Sequence, residues 1–115
     1  MLNLHANHDI EKALLGRIIF DNAYLDVCDI IEPKHFNAKE HGEVYAAYHE
    51  LFLKHSNPDM VDVIEAVRLK YGKDSTTFIG ACQELAKNAW NPAEKAEMIR
   101  ELWLRRQLKE LGQQL

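Results

Sequence analysis

Six histidines, two cysteines and several carboxylate pairs are the residues of this chain able to do chemistry, and their spacing decides whether any can act together. Helix-borne metal ligands stand about three or four residues apart. His41 and His49 are eight apart, His49 and His55 or His5 and His8 fit no better, and no His-Glu-x-x-His occurs. His41 heads an apolar stripe, so it is expected to be a core-edge histidine with a backbone partner. Asp26/Asp29 and Glu40/Glu43 have helical spacing but no nucleophile beside them, which is the pattern of solvated faces. Asp59 and Asp62 read as capping and charging a helix start. A phosphate-binding loop needs clustered glycines and a Gly-Lys-Ser/Thr step. The glycines at 16, 42, 72, 80 and 112 stand singly and no such step exists. Catalytic, cofactor-binding and metal residues are therefore all expected to be absent from this segment.

The elements that position these residues come next. A chain of 115 residues can bury one real core. Its net charge of -4 argues against direct nucleic-acid binding, which needs a basic patch. Residues 1–92 carry 9 basic and 14 acidic side chains, and residues 93–115 carry 5 and 4. Arg100, Arg105, Arg106 and Lys109 form a small basic cluster that compensation of a helix dipole explains as well as phosphate contact does. No apolar run reaches membrane-spanning length. Cys28 and Cys82, with no signal peptide upstream, are expected to be reduced, buried thiols of a cytoplasmic protein.

The chain reads as all helix, because no stretch alternates with period two. The spacing predicts helices over Asp9 to Phe20 capped by Asp9, Asn22 to Ile31, Ala38 to His55 capped by Asn37, Met60 to Tyr71 stopped by Gly72, Thr76 to Asn88, and from Pro92 to the end. The first is apolar around most of its circumference and should be the most enclosed, with Gly16 letting a neighbouring backbone come close. Tyr45, Tyr48 and Phe52 fit a core stripe better than a base-stacking platform.

The last helix changes its apolar face halfway along. Ala96, Ile99, Leu102 and Trp103 share one side, and Leu104, Leu108, Leu111 and Leu115 form a second stripe on nearly the opposite side. One helix packing once on one globule needs one stripe. The expectation is that the first half docks on its own domain, while Leu104, Arg105, Leu108, Leu111 and Leu115 serve self-association or partner binding. The alternative is a terminal helix whose leucines fold back on the domain.

The order of these pieces resembles the N-terminal domain of the hexameric bacterial replicative DNA helicase, the DnaB type. Glu11, Leu15, Gly16, Ile18, Ile19, Asp21 and Asn22 match its opening. Phe36 through His41, Val44, Tyr45 and Ala47 to Leu51 match its next block, and Asn57 to Asp62 the one after. Glu84 to Asn88 with Pro92, then Ile99 to Glu101 and Arg106, complete the series over about residues 8 to 111. Ser75-Thr76-Thr77-Phe78 departs from the family's glycine-rich entry to the fifth helix, extra residues surround Trp90, and no second hairpin helix, linker or motor domain follows. The resemblance implies an all-α fold: a compact orthogonal bundle of about six helices whose C-terminal helix begins a protruding helical hairpin. Residues 1–8 would be a loose lead-in, 9–91 the helical globule, and 92–115 the first half of a dimerisation hairpin. It implies a non-catalytic scaffold for subunit pairing, with self, primase and, in some systems, a helicase loader as partners, and with no direct nucleic acid or membrane contact. ATP and Mg would belong only to the missing motor domain. The second reading is the helicase-binding C-terminal domain of a primase, which resembles the same fold.

Overall fold

A computed structural model describes residues 7–55, 57–87 and 90–114. Ser56, Asn88, Leu115 and the expected lead-in up to residue 6 lie outside the described residues. All described regular structure is helical.

Helix α1, His8–Phe20, is the centre of the bundle and packs on α3, α5 and α6, defined below. Leu14, Leu15 and Ile18 are fully buried. Asn7 caps it in place of Asp9, its side chain accepting from Ile10 N at 3.1 Å. Asp9 instead sits in the first turn, where its charge meets the positive helix end. Gly16 faces the backbone of Cys82: a Cβ there would lie 2.2 Å from the Cys82 carbonyl oxygen.

Helix α2 is a single turn, Tyr24–Val27, shorter than the expected Asn22 to Ile31. Asn22 takes a left-handed backbone, φ 57°, which breaks any helix running through it. At the far end Ile30 N and Ile31 N both close on the Val27 carbonyl, so the regular ladder stops. Tyr24, Val27 and Ile31 still reach the core. A 3-10 turn, Pro33–His35, follows.

Helix α3, Lys39–Lys54, begins without the expected Asn37 cap. Its N-cap position is Ala38, which has no side chain to offer. Glu11 of α1 supplies the acceptor, taking Asn37 N at 2.8 Å and Ala38 N at 3.5 Å. Helix α4, Met60–Tyr71, has the expected bounds. Asp59 and Asp62 cap each other's backbone N–H at 2.9 and 3.1 Å, and Gly72 ends the helix at φ 68°. Helix α5, Thr76–Leu85, stops short of Asn88. Helix α6, Pro92–Gln114, starts at Pro92 as expected, with the Asn91 side chain accepting from Ala93 N at 2.9 Å.

Tyr45 and Tyr48 are buried and Phe52 half-buried in one aromatic group with Tyr24 and Phe36, as the stripe of α3 required. The Tyr45 hydroxyl donates to the Ile31 carbonyl at 3.1 Å, which satisfies its one buried polar atom.

Candidate docking surface

The first half of α6 belongs to the core. Ala96 and Ile99 are buried against α1 and α2, and Leu102 and Trp103 are half-buried. The Trp103 ring meets His35 edge-on at 4.8 Å, and the Lys34 ammonium lies over it at 5.2 Å. Arg106 Nη2 donates to the His35 carbonyl at 3.0 Å. Burial lowers the Arg106 guanidinium from its usual value, and Glu11 opposes that shift. Every side chain from Gln107 to Leu111 is exposed.

The second stripe lies on this outer half. Leu104 is 44% exposed, Leu108 66% and Leu111 57%. Arg105 is exposed and pairs with Glu101 one turn back at 2.8 Å. Leu115 lies outside the described residues. Leu104, Leu108 and Leu111 are therefore not folded back onto the globule. Leu25, Leu53, Val61 and Leu69 are exposed too, but no two stand at a three- or four-residue step, so they make no stripe.

Trp103 lies on the core-facing side as its stripe required, whereas Arg106 was not legible as part of the anchor of this rod. Arg106 reads as one more cation of a basic cluster, and its acceptor is 71 residues away.

Among the described residues no group of three or more His, Cys, Asp or Glu side chains is placed to hold a metal ion. His41 is buried as expected, but its partner is not backbone: its Nδ1 lies 2.7 Å from Glu11 Oε1. A buried carboxylate one helix away outcompetes local carbonyls, which α3 already uses for its own ladder. Cys82 is buried and Cys28 is exposed, which corrects the expectation of two buried thiols. Shortening of α2 leaves Cys28 past its end, facing water. Asp26, Asp29 and Glu40 are exposed, and Glu43 is held by Lys73 at 2.8 Å. A groove of about 410 Å³ between α3 and α4 has Ala47, Leu51 and Ala66 among its lining, with a Lys70–Glu50 ion pair at its edge. No helix among the described residues is long and apolar enough to cross a membrane.

The family model described as the DnaB-like helicase N terminal domain matches residues 3–102. No curated protein and no solved structure matches the chain. The matched span ends two residues before Leu104, so the outward leucines lie beyond it.

Proposed function

The chain belongs to the DnaB-like helicase N-terminal domain family, and from that premise we propose that it is a non-catalytic scaffold in which the outer half of α6 pairs subunits and docks primase or a loader. The observation that carries this reading is the row Leu104, Leu108 and Leu111, exposed along a helix whose other half is sealed into the core. Arg105 flanks the row. Leu115 continues its step in the sequence. The match to the helicase family favours this reading over the primase domain. No catalytic, cofactor or metal residue enters it, and ATP and Mg act in a motor domain.

Magnitudes set how tightly the stripe can pair. Fully burying a leucine stabilises by about 1.5–3 kcal/mol. Four leucines offer on the order of 6–12 kcal/mol, against an association cost of about 4–15 kcal/mol. The two nearly balance, so this segment is expected to be a monomer or a weak, concentration-dependent dimer and not a tight ring.

Sedimentation at several concentrations, with a primase pull-down beside it, tests the proposal. Leu108→Asp should weaken self-association or primase capture about tenfold or more, with a melting temperature within about 2 °C of the parent. Unchanged association and capture, or a stability loss of several kcal/mol typical of a core substitution, would overturn it.

A further inference from the structure

One titratable side chain sits at the base of the projecting helix. His35 ends the Pro33–His35 turn and is 5% exposed. Its Nδ1 accepts the Glu32 backbone N–H at 2.9 Å. A backbone amide only donates, so Nδ1 carries no proton and the ring is neutral in this fold. The carbonyl of the same residue takes Arg106, and its ring takes Trp103. One residue thus closes the turn and holds α6 at two points one helical turn apart.

The charges around it are uneven. Lys34 and Glu32 lie beside it in the turn, and Arg100 and Arg106 face it from α6. On the α3 side of the turn, Lys39 and Glu43 stand near Pro33 and Lys34. Glu11 of α1 acts on Arg106. Three cations therefore bear on the ring against the single opposing carboxylate of Glu32.

We propose that the Pro33–His35 turn is an acid-sensitive clasp: a proton taken from solvent onto His35 Nδ1 ejects the Glu32 N–H, sets a cation against Arg100 and Arg106, and lets the outer half of α6 change its angle. Burial, seconded by Lys34, Arg100 and Arg106, lowers His35 from its usual 6.5. The sign follows. The clasp is at full strength above the unfolded value and is lost as pH falls through the lower folded one. The device is intramolecular, so it stands or falls apart from whatever the leucines bind.

Distance measurement between spin labels tests it. Labels go on Glu110→Cys in the rod and Lys54→Cys on α3, in a Cys28→Ser background, diluted into excess unlabelled protein. At pH about 7.5 one narrow distance is expected, and a second should grow in as the pH is lowered, with its midpoint below His35's usual value. His35→Asn keeps an acceptor oxygen near the Nδ1 position and does not titrate, so its distances should not change with pH. Arg106→Ala should broaden the distribution at every pH. The proposal is overturned by distances indifferent to pH, by an equal shift in His35→Asn, by an Arg106→Ala distribution as narrow as the parent's, or by loss of helical circular dichroism across the whole domain before the distance changes.

Discussion

Glu11 is a charged-type residue at 2% exposure, and the fold answers it with three partners: Asn37 N, Ala38 N and His41 Nδ1. All belong to the start of α3, so one side chain of α1 locks two elements in register. His8 and Asn37 close the rim, with the Asn37 amide 2.8 Å from His8 Nε2, and Phe78 of α5 stacks on His41 at 5.0 Å. Truncating one partner of such a buried pair leaves the others unmatched. Glu11→Ala should therefore cost about 3–5 kcal/mol in denaturant unfolding, and Glu11→Gln less, because an amide oxygen still accepts the two backbone N–H groups. A loss under about 1 kcal/mol for the alanine variant would show that the bridge holds little. In the sequence Glu11 looks like any first-turn acid, since its partners lie 26 to 30 residues away.

Among the elements, the tightest approach is α1 on α5. A Cβ on Gly16 would meet the Cys82 carbonyl oxygen at 2.2 Å and Ala86 Cβ at 2.7 Å. The first is backbone and cannot swing away. Gly16→Ala should thus destabilise by about 1–3 kcal/mol through overpacking, although alanine is the better helix former by about 1 kcal/mol. Gly112 is the control. A Cβ there meets nothing within 4 Å, so Gly112→Ala should leave the domain intact and firm the outer turn of α6 by about 0.5–1 kcal/mol. Opposite signs in two thermal melts are the expected outcome, and equal signs would contradict the close-approach reading. The need for glycine at position 16 was legible in an apolar face that leaves little helix surface polar. The brevity of α2 was not, because Tyr24, Val27 and Ile31 keep helical spacing through a chain that only turns.

For the whole molecule, burial sets the alkaline limit. It pushes the Cys82 thiol up to about 12 from 9.0, and raises Tyr45, Tyr48 and Tyr24 above their usual 10.0. Each group is held neutral in the fold and ionises more readily when unfolded. Their contributions are complete below the unfolded values and disappear as pH climbs through the folded ones. Melting temperature should fall steadily above pH about 9, and an alkylating reagent should modify Cys28 in the native protein but Cys82 only after unfolding. Equal labelling of both thiols without denaturant would contradict the enclosed α1–α5 seam. The same molecule extends 45 Å along its longest axis against 32 and 27 Å, as a globule with a helix end standing clear of it must.

The amino-acid sequence by itself determined the helical class, the bounds of α4, the start of α6 and the change of face at Leu104. All of these are local: they follow from apolar period, Asp and Gly punctuation and a proline that suits a first turn. The family was legible as well, because its signature is an ordered series of such local pieces. Only the tertiary structure decided which carboxylate starts α3, why Arg106 is an anchor and not a loose cation, and which thiol sees water. Those outcomes depend on hydrogen bonds and close contacts between residues distant in the chain, and a polar side chain announces its capacity to bond but not its partner.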